Sequence, residues 1–310
     1  MELQNKDDIK EKPFSLQRWL GLIGGLVLFI LMLWSAPPEG LGKEGWMTAA
    51  VAILMAIWWI SEAIPIPATA LLPLVLFPIL KIADIKETVI PYSNPIIFLF
   101  MGGFIIAIGM QEWGLHKRIA LNIIRIIGHK PKNIILGFMI ASAFISMWVS
   151  NTAATIMMLP IALSVIEINF RLPHNHEDVS QYRNFSIILM LGIAYASNVG
   201  GIGTIIGTPT NALLIGFLNE TYGIEISFLK WLGIGLPIVI LGLPVIYFTL
   251  VNILYPVKFK TLPAGKNFIK DEINRLGRIS KAESMVAIIF TLTAILWLVR
   301  PFLESLLPGI

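Results

Sequence analysis

The sequence contains no cysteine, which removes disulfides, thiol nucleophiles and thiolate-held metals together. It is also poor in charge: Asp, Glu, Lys and Arg make up 14% of its 310 residues, against the ~25% usual in soluble domains. Histidine is scarce, and the four present, His116, His129, His174 and His176, all lie in polar stretches, so nothing points to zinc. No nucleophile–base pair and no metal cluster is visible in the apolar segments, which speaks against a membrane-embedded enzyme. The formal net charge of +4 calls for no nucleic-acid partner, because the basic residues cluster between apolar runs, where membrane orientation accounts for them.

What the sequence does have is apolar length. Hydrophobic residues make up 56% of the chain and the mean hydropathy is +0.79. Runs of about 17 to 25 apolar residues recur from end to end, each enough for a ~30 Å hydrocarbon core. The expected fold is therefore an all-α membrane protein, a polytopic bundle whose solvent is the lipid bilayer. Polar residues 1–18 read as a cytoplasmic tail, and the run 19–35, lacking a small-residue cleavage signature, reads as a retained first span. Further spans are expected at 46–63, 67–80 and 95–110. Residues 111–132 interleave Lys117, Arg118, Arg125 and Lys130 with Leu115, Ile119, Ile123, Ile124 and Ile127, the pattern of an amphipathic helix at the membrane interface.

Two segments depart from simple spans. From 133 to 168 the chain is apolar except at Ser150-Asn151-Thr152; one helix of that length would reach about 54 Å, so a re-entrant hairpin with a polar tip fits better. A span at 185–198 then breaks into a stretch rich in Gly, Thr and Pro up to Asn211 and resumes over 212–218. Spans at 228–254 and 285–302 follow, separated by the charged linker 257–283. Of the 23 Lys and Arg, all but Lys43, Lys81, Lys86, Lys230 and Arg300 fall on the side of the N-terminus if the hairpin enters and leaves on one face. That bias places the N-terminus in the cytoplasm, in a multi-pass protein of the cytoplasmic membrane.

Backbone groups freed by a helix break cannot face lipid, so such breaks mark protein-lined sites. Both breaks are rich in hydroxyl, amide and carbonyl oxygen and have no carboxylate nearby, a combination suited to Na⁺, while the N-terminal ends of the resumed helices suit an anion. Ser150 and Asn151 offer a hydroxyl and an amide oxygen to Na⁺, Ser146 lies one turn earlier on the same face, and Gly207 exposes a carbonyl where Pro209 interrupts the ladder. The Asn151 nitrogen and the Thr152 and Thr208 hydroxyls are left to bind a substrate carboxylate. Plainer readings stand beside these: Ser-Asn-Thr before an apolar run is also a helix N-cap, Gly-rich stretches are also packing faces, and Glu62 beside Trp58 and Trp59 reads as an interfacial residue. Gly201-Ile-Gly203-Thr-Ile-Ile-Gly207 is GxGxxxG with no Lys after it, which is no phosphate loop.

At these residues the sequence resembles the divalent anion:sodium symporters, in particular bacterial sodium-dependent dicarboxylate transporters. The stretches carrying the resemblance are Trp58-Trp59-Ile-Ser-Glu62-Ala-Ile-Pro65, Ile97-Phe-Leu-Phe-Met-Gly102-Gly103-Phe, Ser150-Asn151-Thr152-Ala-Ala and Gly200-Gly-Ile-Gly-Thr-Ile-Ile-Gly207-Thr208-Pro209. The resemblance implies Na⁺-coupled import of C4-dicarboxylates such as succinate, fumarate and malate by an elevator-type motion of a homodimer. It implies Ser146, Ser150, Asn151 and Gly207 as sodium ligands, and Asn151, Thr152, Thr208 and Pro209 as the substrate site. Residues 19–132 correspond to scaffold spans and the interfacial helix, 133–218 to the binding region and 219–310 to further spans. Thr210 stands where the family commonly has a second Pro, and no second Ser-Asn-Thr hairpin follows it. The chain therefore corresponds to the first inverted repeat and the start of the second, and is expected to be incomplete as a transporter. A Na⁺-independent dicarboxylate or tricarboxylate exchanger is the alternative reading.

Overall fold

The computed structural model describes residues 15–170, 176–258 and 265–306. The expected tail 1–18 lies almost wholly outside them, as do parts of the loop after 170 and of the charged linker. Among the described residues every regular element is a helix, and seven helices are long and apolar enough to cross a membrane. The chain divides into two compact units, one ending at Ile97 and one beginning at Phe98.

The first unit is built on an antiparallel pair, α1 (Leu16–Trp34) and α2 (Lys43–Ser61). Ser15 caps α1 by accepting from the Arg18 N–H at 3.3 Å, satisfying one of the donors a helix start leaves free. Trp46 and Trp58 of α2 donate their indole N–H groups to the Met32 and Leu22 carbonyls of α1 at 2.9 and 3.4 Å, and Phe29, Val51, Leu54 and Trp58 fill the seam. Glu62 ends α2 in the left-handed region (φ 49°) and pairs with Arg18 at 3.2 Å. Both side chains are well exposed, so the pair contributes little and Glu62 is a helix terminus at the unit's surface. The expected span 67–80 is instead two short helices, α3 (Ile66–Ala70) and α4 (Leu72–Ile79). Pro73 has no N–H to continue the α3 ladder, and the two helices together cover only about 21 Å. Next comes α5 (Ile85–Val89), capped by Asp84, and a 3₁₀ turn at Ile90–Ser93.

α6 (Pro95–Glu112) enters the second unit at Phe98, and α7 (Leu115–Ile127) follows. α7 is amphipathic as its spacing predicts, but its buried stripe of Leu115, Ala120, Leu121 and Ile124 lies against α8 (Pro131–Ser146), not bare lipid. Periodicity reports that a face is covered and says nothing of what covers it. α8 is about 24 Å long, too short to cross a bilayer. The chain turns at 147–150 into α9 (Asn151–Phe170) and then into α10 (His176–Gly201). Gly192 of α10 faces Met139 of α8 and Gly200 faces the Ala143 backbone, so α8 and α10 run in the same direction and α9 returns between them in sequence. α8 and α9 thus form the helical hairpin, and Ile134, Phe138, Ile145, Met158, Phe185, Ile188 and Leu189 form the dry core where it meets α10. A side chain at position 200 would overlap the Ala143 backbone, which is why the contact takes glycine.

α10 begins nine residues before the expected start, because the polar stretch from His176 gives no apolar signal yet contains no breaker. A 3₁₀ turn at Ile205–Gly207 leads to α11 (Pro209–Tyr222), then α12 (Phe228–Phe248) running into a π turn at Thr249–Leu254. The charged linker contains α13 (Gly265–Leu276), whose Ile269 joins the core, and α14 (Lys281–Leu306) closes the described chain. Arg118 of α7 clasps Glu283 of α14 through two guanidinium nitrogens and donates to the Gly277 carbonyl at 3.1 Å. Lys117 pairs with Glu272 of α13 at 3.2 Å.

Candidate functional site

The two breaks foreseen in the sequence meet in space, both inside the second unit. The first is the four-residue turn 147–150 between α8 and α9; the second is the stretch from Gly201 to Pro209 between α10 and α11. Thr204 ties them. Its buried hydroxyl donates to the Met147 carbonyl and accepts from the Gly207 N–H at 3.1 Å, so one side chain satisfies backbone groups from both breaks. Asn211, also buried, donates both amide protons, to the carbonyls of Gly201 at 2.9 Å and Thr204 at 2.8 Å. The Trp231 indole N–H holds the Ile202 carbonyl at 2.9 Å. Three carbonyls of the second break, those of Gly201, Ile202 and Thr204, are thus held by side-chain donors.

Around this loop oxygen atoms gather. The Ser146 hydroxyl, fully buried at the end of α8, lies 2.7 Å from the Ser197 carbonyl and 2.9 Å from Asn151 Oδ1. It has one proton for two acceptors. The Ser146 carbonyl accepts no hydrogen bond among the described residues, since the turn has lifted the following N–H groups away from it. A Cβ built on Gly207 would stand 2.9 Å from that carbonyl and overlap the Gly201 carbonyl; one on Gly201 would overlap Asn151 Oδ1. Ser146, Asn151, Gly201 and Gly207 thus share one small oxygen-lined space that a side chain at either glycine would fill. Two further buried hydroxyls, Ser142 one turn before Ser146 and Ser197 on α10, have no hydrogen-bond partner among the described residues.

Of the residues singled out in the sequence, Ser146, Asn151 and Gly207 converge directly. Ser150 caps α9, its Oγ accepting from the Ala153 N–H at 3.3 Å, which is the N-cap reading of Ser-Asn-Thr; the oxygen keeps a second lone pair. Thr152 and Pro209 are exposed and Thr208 half-buried, at the first turns of α9 and α11. The Thr208 and Thr210 hydroxyls lie 3.2 Å apart, so Thr210 joins this polar rim. Sequence reasoning missed three participants. The Gly201 carbonyl and the Thr204 tie sit inside a motif whose glycines drew the attention. Asn198, whose Oδ1 lies 3.3 Å from Asn151 Nδ2, belongs to no motif and could have been found only as a polar residue one turn before the break. No acidic side chain appears in these contacts, and no cluster of His, Cys, Asp or Glu able to hold a metal occurs among the described residues.

The family described as the sodium:sulfate symporter transmembrane region matches residues 16–306, nearly the whole chain. The chain belongs to this symporter family. Its similar relatives include the sodium-dependent dicarboxylate transporter SdcS of Staphylococcus aureus (strain bovine RF122 / ET3-1), 44% identical over 296 residues that cover 95% of this chain and 56% of that protein. SdcS of Staphylococcus saprophyticus is 42% identical over 303 residues, covering 98% of this chain and 58% of the relative. The chain thus spans a little over half the length of the curated relatives it matches. Membership in a family of transmembrane symporters agrees with the seven bilayer-length helices and the all-helical bundle.

Proposed function

We propose that the chain forms one half of the binding site of a sodium-coupled importer of C4-dicarboxylates such as succinate, fumarate and malate. The observation that carries this reading is the set of neutral oxygens where the breaks meet: Ser146 Oγ beside Asn151 Oδ1, and the Ser146 and Gly201 carbonyls beside Gly207. Oxygens that outnumber the protons between them attract a cation, and a cage without carboxylates favours a monovalent ion over a divalent one. Ser146, Ser150, Asn151 and Gly207 are the sodium ligands in this reading. The N-terminal turns of α9 and α11 carry partial positive charge and unspent N–H groups, and a substrate carboxylate is held there by Asn151 Nδ2, Thr152 and Thr208 beside Pro209. Asn151 touches both ligands, so each favours the other's binding, which is thermodynamic coupling. The names of the SdcS relatives support both the sodium and the dicarboxylate. Residues 133–218 are the part that carries substrate, moving in an elevator fashion within a homodimer whose N-termini are cytoplasmic.

The test is uptake of labelled succinate into proteoliposomes carrying the protein, with an inward Na⁺ gradient or with K⁺ in its place. Uptake that requires Na⁺ and is lost in Asn151→Ala supports the reading. Equal uptake in K⁺, driven by dicarboxylate preloaded inside, assigns anion exchange instead.

A further inference from the structure

Resting on the cation site proposed above, a second inference concerns a residue that no motif marks. Asn198, on the last turns of α10, is exposed and makes one side-chain hydrogen bond among the described residues, its Oδ1 lying 3.3 Å from Asn151 Nδ2. Asn151 stands between it and Ser146, whose Oγ is 2.9 Å from Asn151 Oδ1 on the other side. An amide's two ends are nearly the same size, so this row fits two arrangements of protons. In one, Ser146 gives its proton to Ser197 O, Asn151 turns its nitrogen toward Ser146 Oγ, and Asn198 donates to Asn151 Oδ1; every group is paired and the row holds no cation. In the other, Asn151 Nδ2 donates to Asn198 Oδ1 and Asn151 Oδ1 faces Ser146 Oγ, whose one proton goes either to it or to Ser197 O. With that proton on Ser197 O, the two facing oxygens repel unless a positive charge lies beside them.

We propose that Asn198 is a positioning residue that selects the orientation of the Asn151 amide, accepting from Asn151 Nδ2 in the arrangement that binds a small monovalent cation. Because Asn198 both donates and accepts, it supports either arrangement, and the cation shifts the balance between them. An acceptor at position 198 that cannot donate pins Asn151 with its oxygen toward the cation. A residue of similar size without hydrogen bonding releases it.

The experiment is thermal unfolding of the 310-residue chain in detergent micelles, followed by tryptophan fluorescence, as Na⁺ replaces K⁺ at constant ionic strength. Asn198→Leu raises the Na⁺ concentration for half-maximal stabilisation about fivefold, the loss of one hydrogen bond. Asn198→Asp leaves it at or below the wild-type value with no new response to K⁺; a bare charge effect would raise the response to both ions. Should Asn198→Leu fail to fold, Asn198→Ser, too short to reach Asn151, is read in the same way. If Asn151→Ala abolishes the Na⁺ response while the Asn198 variants stay within about twofold of wild type, the role of Asn198 is overturned and the cation site stands. If the wild type responds equally to Na⁺ and K⁺, both fall.

Discussion

Gly207 and Thr204 show how much of the site hangs on single atoms. A methyl group on Gly207 would meet the Gly201 and Ser146 carbonyls, and both are backbone, so neither yields cheaply. Gly207→Ala is expected to remove the Na⁺-dependent rise in unfolding temperature and to cost about 1–3 kcal/mol of stability. Gly102→Ala, whose added carbon meets nothing within 4 Å, is the control and should change neither. Thr204→Val keeps the shape but leaves the Met147 carbonyl and the Gly207 N–H without their shared partner, at a cost of about 1–3 kcal/mol in denaturant unfolding. Thr204→Ser retains the hydroxyl and should lose clearly less. Ser146, Asn151 and Gly207 were legible in the sequence because a polar residue in an apolar run is conspicuous. Thr204 was not, since a threonine among glycines looks like loop filler until its two backbone partners, from breaks 57 and 3 residues away, are known.

At the scale of elements, the ion-pair clasp on α7 is the clearest non-local device. Arg118 and Glu283 are largely buried and separated by 165 residues, and the guanidinium also satisfies the Gly277 carbonyl at the end of α13. Removing one partner strands a buried charge, so Arg118→Met alone should cost about 3–5 kcal/mol, whereas the double variant Arg118→Met/Glu283→Met recovers most of it. A double-mutant cycle in chemical unfolding measures the coupling directly. The helical period of α7 was plain from the alternation of Lys, Arg and Ile, but the occupant of each face was not. Its apolar stripe meets α8 and its cations meet α13 and α14, pairings that depend on how distant segments return. The same limit explains the residues between 66 and 79, where hydropathy announced a span and proline spacing divided it into α3 and α4.

At the scale of the whole molecule, the absence of cysteine turns the orientation into a direct measurement. Lys270→Cys in α13 should react with a membrane-impermeant maleimide only in inside-out vesicles, and Lys43→Cys at the start of α2 only in right-side-out ones. The opposite pattern would invert the topology argued from Lys and Arg placement. Composition by itself determined that the chain is a helical membrane protein: so little charge and so many bilayer-length apolar runs leave lipid as the solvent, and helices satisfy their own backbone there. Sequence also located the two breaks, because Ser-Asn-Thr and Gly-Thr-Pro interrupt apolar runs that otherwise have no reason to stop. Only the tertiary structure decided that the breaks meet, that Thr204 ties them, and that the Ser146 hydroxyl faces two acceptors with one proton. Those facts come from α8 and α10 lying side by side in one direction, a register set by Gly200 against Ala143 and by contacts about 50 residues apart, which no local pattern encodes.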